Sequence, residues 1–180
     1  MDISSILNQF KGKRIVVLGD IMLDAYMVGS VTRISPEAPV PIVSLSQEDE
    51  RLGGAANVAL NLVSLGAEPV ICSVIGNDQN GEKMMDLMHK AGISSEGVLL
   101  SKERKTTVKT RILGDNQQLL RIDSEQCDDI LSRDEEQLLK RVEHLLQDGV
   151  DALIFEDYNK GLLTESLIKK VIQLCQSHNA

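Results

Sequence analysis

Hydrophobic positions fall into two alternating patterns along this chain. Short unbroken apolar runs occur at residues 14–18 (RIVVL), 68–76 (EPVICSVIG) and 151–157 (DALIFED). Runs of this length, rich in Ile and Val, predict strands buried on both faces. Between them, apolar residues recur every three or four positions, which predicts helices at 52–65, 80–91, 132–149 and 164–178, with a short one at 3–10. Gly92 and Gly149 fit helix stops, Ser132 with Glu135 fits a capping box, and Thr164 fits an N-cap. Strands that alternate with helices predict an α/β domain with a largely parallel sheet.

Three segments break that alternation. PVPIVSLSQ at 39–47 is extended and Pro-rich, which predicts an edge or lid strand. TTVKTRILGDNQQLLRID at 106–123 is two strand-like runs around Gly-Asp-Asn, a hairpin signal. MLDAYMVG at 22–29 also alternates. Together they predict a small sheet standing off the main one.

Composition narrows the function classes. At 180 residues the chain suits one domain, and 42% hydrophobic content allows a sizeable core. A net charge of −8 argues against nucleic acid as a partner, while leaving room for a local anion pocket. No 18-residue apolar stretch appears, and the N-terminus MDISSILNQFKGKR is too polar for a secretory signal, so a cytoplasmic protein with no membrane partner is expected. Cys72, Cys127 and Cys175 lie far apart and read as small buried hydrophobes in a reducing compartment. His89, His144 and His178 are isolated, so no metal site is expected.

The candidate chemistry sits where strands end, the usual ligand position in an open α/β sheet. Asp20 follows the first strand, and Asp24 comes four residues later. Two short carboxylates there either grip the hydroxyls of a polyol or serve as turn and cap residues. In RLGGAANVALNLVSLG (51–66), Gly53 and Gly54 open a predicted helix. Either they let a ligand approach the free amides, with Asn57 one turn on, or they line a tight turn against packed chain. Lys109 and Arg111 share a strand face by period two, and with Arg121 they form either a phosphate cluster or a solvated face. Asp157 and Lys160, in DYNKG after the last strand, are either a second charged grip or a polar turn. GNDQNGEK (76–83) imitates a P-loop, but Glu82 intervenes and no Ser or Thr follows Lys83.

GDIMLDAYMVGSVTRISPEAPVPIV, LGGAANVALNLVSLGA, GNDQNG, TTVKTRIL, QQLLRID and EDYNKG, in that order, resemble the ribokinase-like (PfkB) sugar kinases. RISPEAPVP (33–41) narrows the resemblance to the heptose 7-phosphate kinase domains of bacterial ADP-heptose synthases. The resemblance implies a three-layer α/β/α fold with a small β lid, here near 22–29, 39–46, 106–113 and 117–122. It implies homodimers through that lid. It implies ATP-dependent phosphorylation of D-glycero-D-manno-heptose 7-phosphate at O1, for lipopolysaccharide core synthesis, with Mg²⁺ as the expected metal; the alternatives are another PfkB-type sugar or sugar-phosphate kinase, or a non-catalytic sugar-phosphate-binding subunit. Asp20, Asp24, Gly53, Gly54 and Asn57 match the family's sugar-binding segments. Lys109 and Arg111 are chemical candidates for the sugar's phosphate, and Asp157 and Lys160 flank the same cleft. The family's Gly-Ala-Gly-Asp segment, which carries the general base, has no match here. Residues 1–180 are therefore expected to be the N-terminal part of the kinase domain, truncated after its first half, with no catalytic residue, inactive alone and binding no ATP or Mg²⁺.

Overall fold

The computed structural model describes residues 2–178. Its elements run α1 Ile3–Asn8, β1 Arg14–Gly19, β2 Ile21–Ile34, β3 Pro41–Gly54, α2 Ala55–Ser64, β4 Glu68–Gly76, α3 Gln79–Lys90, β5 Ser94–Ser101, β6 Val108–Gly114, β7 Gln117–Ser124, α4 Ser132–Gln147, β8 Ala152–Glu156 and α5 Glu165–His178. One sheet has the order β5-β4-β1-β8. All its pairings are parallel.

The apolar runs explain its placement. Alternate residues of a strand face opposite sides. Ile15, Val17, Ile71 and Ile75 therefore pack with Ala55, Ala59, Leu62, Met84 and Met88 of α2 and α3. Val16, Leu18, Val70, Cys72 and Val74 pack with Leu138, Val142, Leu145, Leu167 and Val171 of α4 and α5. A helix layer on each face of a parallel sheet is the three-layer α/β/α arrangement expected from the sequence.

The second sheet has the order β3-β2-β6-β7. β2 and β3 are antiparallel, β6 and β7 form a hairpin, and β2 runs parallel to β6. The hairpin turns at Asp115 (φ 51°) and Asn116 (φ 66°). Positive φ at both central residues gives the twist a two-residue hairpin needs, and Asp and Asn tolerate it better than most residues. The Pro-rich strand β3 lies at one edge, as its Pro content predicts.

Several expectations need correction. Residues 52–54 belong to β3, and the helix starts at Ala55. The capping box does not form: Leu131 is the N-cap residue of α4 and Ser132 is already helical. Glu135 instead accepts hydrogen bonds from Thr164 Oγ1 (3.0 Å), Ser166 Oγ (2.9 Å) and Lys170 Nζ (2.7 Å) on the neighbouring segment. Thr164 does cap α5, accepting from Leu167 N at 3.0 Å. Strand β5 escapes the sequence pattern because its first half, Ser-Ser-Glu-Gly, is polar. Cys127 is exposed, whereas burial pushes the Cys72 thiol up to about 12.

Candidate functional site

The lid sheet has two chemically different faces, and ladder register sets them. One row across it reads Arg51, Asp24, Lys109, Asp123, and the next reads Asp49, Tyr26, Arg111, Arg121. The opposite face carries the rows Glu50, Ala25, Thr110, Ile122 and Glu48, Met27, Ile112, Leu120. The expected cation cluster of Lys109, Arg111 and Arg121 therefore exists on one face, with Arg111 directly beside Arg121.

Carboxylates interleave with those cations. Arg111 donates to Asp24 Oδ1 at 2.6 Å, with both side chains only about one-fifth exposed. That bond holds the Arg111 guanidinium above its ordinary value. Arg121 reaches both oxygens of Asp123, at 2.8 and 2.9 Å. The Asp123 carboxyl is held below the usual range, first by Arg121 and further by Lys109 and Lys160. Among the described residues Lys109 makes no ion pair within 4.0 Å. Tyr26 lies between two guanidiniums, Arg51 at 4.9 Å and Arg111 at 5.3 Å from its ring centroid. Such contacts fix a planar cation over an aromatic face.

The two glycines owe their identity to neighbouring chain. A Cβ on Gly53 would collide with Asp24 Oδ2, so Gly53 makes room for the carboxylate that pairs with Arg111. Gly54 has φ 61° and ψ −137°, a conformation left to glycine, and a Cβ there would strike the Asp20 carbonyl. That carbonyl accepts from Ala55 N at 2.9 Å and takes up the first free amide of α2. Gly54 offers no side chain to cap the rest of that turn. Asn57 is exposed in the first turn and lines a surface groove with Arg51, Leu60 and Leu87.

Asp20 lies between β1 and β2 and is almost fully buried. Its Oδ2 accepts from Tyr158 N (3.0 Å) and Lys160 N (3.1 Å), so it ties the loop after β8 to the end of β1. Burial raises its carboxyl above the ordinary value, against the pull of those two amides. Asp157 is exposed and accepts from Asn159 N at 2.7 Å, a local turn bond. The Lys160 ammonium meets Glu125 Oε1 at 3.0 Å and lies 3.7 Å from Cys127 Sγ. The Glu125 contact holds that ammonium above its ordinary value. The other Glu125 oxygen is buried without a hydrogen-bond partner among the described residues.

Sequence reading missed Arg104, Tyr26, Arg51 and Glu125. Arg104 donates to the carbonyls of Asp128 (2.8 Å), Gln126 (3.3 Å) and Lys160, so it joins three loops at the strand ends. A lone Arg in SKERKTT carries no pattern that announces such a clamp. Tyr26 and Arg51 had a signal: both alternate in phase with Asp24 and Gly53 along their strands. Together the charged lid face and the strand-end loop present carboxylates for hydroxyls and cations for an anion. Among the described residues no three His, Cys, Asp or Glu side chains gather to hold a metal, and no helix is long and apolar enough to cross a membrane.

Comparison with known proteins adds to this geometry. The model of the pfkB family carbohydrate kinases matches residues 13–180. The chain is 42% identical over 167 residues to the bifunctional protein HldE of Helicobacter pylori strain J99, covering 93% of this chain and 36% of that protein. It is 46% identical over 158 residues to the HldE of Methylobacillus flagellatus, covering 88% of this chain and 32% of that protein. A carbohydrate kinase from Agrobacterium tumefaciens shares the fold with a TM-score of 0.69 at 23% identity, over 93% of this chain and 51% of that one. The chain thus spans about a third of the length of these curated relatives and about half of that solved kinase.

Proposed function

The chain belongs to the pfkB family of carbohydrate kinases, and from that premise we propose that it supplies the sugar site and lid of an ATP-dependent heptose 7-phosphate kinase. The reaction is transfer of a phosphoryl group to O1 of D-glycero-D-manno-heptose 7-phosphate, giving the 1,7-bisphosphate for lipopolysaccharide core synthesis in the cytoplasm. One observation carries this reading: Asp24, Lys109 and Arg111 share one face of a sheet whose strand β2 starts beside Asp20 at the end of β1. A phosphorylated polyol needs both charges, carboxylates for its hydroxyls and cations for its phosphate. Asp24 and Asn57 serve the hydroxyls; Lys109 and Arg111 serve the 7-phosphate. Gly53 and Gly54 let Asp24 and the start of α2 take their places beside the sugar. Asp20 and Lys160 shape the floor through the 157–161 loop, and Asp157 stands at its rim. Similarity to HldE proteins over most of this chain supports the choice of substrate.

The P-loop-like stretch of this chain does not fit nucleotide phosphates. In GNDQNGEK the carboxylate of Asp78 is taken by Gly81 N (2.8 Å) and Thr106 N (2.9 Å), which staples the loop rather than cradling phosphates. We assign ATP, Mg²⁺ and the general base to no residue of this chain, and expect the 180 residues alone to be inactive. A homodimer through the lid is part of the same proposal. It is supported by the exposed apolar side chains of Met27, Leu120 and Ile122 on the lid's opposite face.

The test is a substrate panel with the protein as isolated from its own cells, ATP and Mg²⁺, and product analysis by phosphorus NMR. Fastest turnover with heptose 7-phosphate, and new phosphate on C1, is the expected result. Faster turnover of a neutral sugar or a different sugar phosphate would overturn the substrate assignment.

A further inference from the structure

The groups assigned to the two ends of the substrate are bonded to each other. Arg111, which serves the phosphate, holds Asp24, which serves the hydroxyls, at 2.6 Å. From this geometry we infer that the Asp24 carboxylate is a stand-in for the substrate's phosphate, and that a sugar phosphate displaces it from Arg111. The inference rests on the sugar-phosphate reading above and adds a basis for selecting phosphorylated over neutral sugars.

The pair is placed for such an exchange. Tyr26 and its own strand hold the guanidinium when its anion changes, because the ring sits 5.3 Å from it. The second Asp24 oxygen lies over Gly53, near the end of β3, with the Met22 side chain beside it. Lys109 stands beside Asp24 in the ladder without an ion pair among the described residues, ready to share an incoming dianion. Arg121 keeps its own carboxylate, Asp123, and Arg51 keeps Asp49 at 2.7 Å.

The energetics favour only one kind of ligand. Removing one partner of a largely buried ion pair leaves the other charge uncompensated, which is strongly unfavourable. A neutral sugar that drew Asp24 towards its hydroxyls would leave Arg111 in that state. A sugar phosphate supplies a replacement anion with a geometry that suits the guanidinium fork. Binding at the phosphate end thereby frees the carboxylate at the hydroxyl end, so the two ends are positively coupled.

The test is calorimetric titration of inorganic phosphate into the full-length protein and its variants. Asp24→Asn keeps the shape and removes the competing charge, so phosphate should bind about tenfold more tightly than to the unaltered protein. Asp49→Asn removes a charge from the same face without freeing Arg111 and should change affinity by less than about twofold. Arg111→Gln, alone or with Asp24→Asn, should abolish the gain. Unchanged or weaker phosphate binding to Asp24→Asn, or an equal gain in Asp49→Asn, would overturn the exchange. Heptose 7-phosphate is titrated into the unaltered protein in parallel. Its failure to bind would sink the functional reading, whereas binding without the Asp24→Asn gain would sink the exchange alone. Circular dichroism confirms folding, and Asp24→Ser replaces Asp24→Asn if the latter does not fold.

Discussion

In the main sheet, Val16, Val17, Leu18 and Ile71 are wholly withdrawn from solvent. In the lid, every residue of β7 is exposed. The main sheet is covered by helices on both sides, so most of its residues contribute burial, with exceptions such as Glu68, Glu96 and Leu100 at exposed positions. Helices reach only the base of the lid, where Leu23 and Leu52 join the core with α2 and α3 and Lys83 of α3 meets Glu50 at 2.6 Å. Its strands are held by ladder hydrogen bonds and by charges that pair across them. Stability and recognition are thus divided between two sheets of equal strand number, and the charged face of the weaker one carries the proposed site.

That division makes graded predictions. Leu18→Ala opens a cavity between β1 and α4–α5 and should cost about 3–5 kcal/mol in urea unfolding. Leu120→Ala, on the exposed lid face, should stay within about 0.5 kcal/mol at protein concentrations low enough to keep the chain monomeric. Comparable losses at the two positions would mean the lid is buried against something in solution. Gly53→Ala forces a methyl against Asp24 Oδ2. Its unfolding free energy should fall modestly, by about 1–2 kcal/mol, while sugar-phosphate affinity falls at least tenfold, because Asp24 must move. Loss of stability with affinity intact would detach Gly53 from the site.

Acid should act on the helix layer before the apolar core. Burial works to raise the Glu135 carboxyl, but Lys170, Ser166 and Thr164 outweigh it and hold it below the ordinary range. Its stabilisation is fully present above the ordinary carboxylate value and is lost as pH falls through its lowered folded value. Glu135→Gln should flatten that acid limb of the stability curve and cost about 1.5–3 kcal/mol at neutral pH. An unchanged acid limb would assign acid sensitivity to other carboxylates. The smallest effect is expected at the hairpin tip. Asn116→Gly relieves a positive φ and should stabilise the lid by about 0.5 kcal/mol, read by slower hydrogen exchange in β6 and β7.

The two sheets also differ in how much of them could be read from sequence. Runs such as RIVVL and EPVICSVIG announce buried parallel strands because both faces are apolar, and β1, β4 and β8 lie where those runs predict. Strand β5 is hidden because its first half is polar, and position 97 is glycine because a Cβ there would strike Cys72 Sγ. The lid's strands were legible through the Pro-rich edge and the Gly-Asp-Asn turn, and the residues of its charged face through period two. The pairing between them was not. Asp24 and Arg111 lie 87 residues apart and meet because β2 and β6 run parallel, which no local pattern records. Gly53 and Gly54 likewise read as an opening for a ligand, while their neighbours show that they also accommodate Asp24 and the Asp20 carbonyl.

The central claim is that sugar phosphate binds between the charged face of the lid and the loop at the end of β8. Hydrogen exchange by mass spectrometry on the full-length protein, with and without heptose 7-phosphate, tests it most directly. Protection should concentrate in residues 22–26, 51–57, 108–112 and 157–161, with β5 and α3 unchanged. Protection confined to other segments, or uniform across both sheets, would contradict the account.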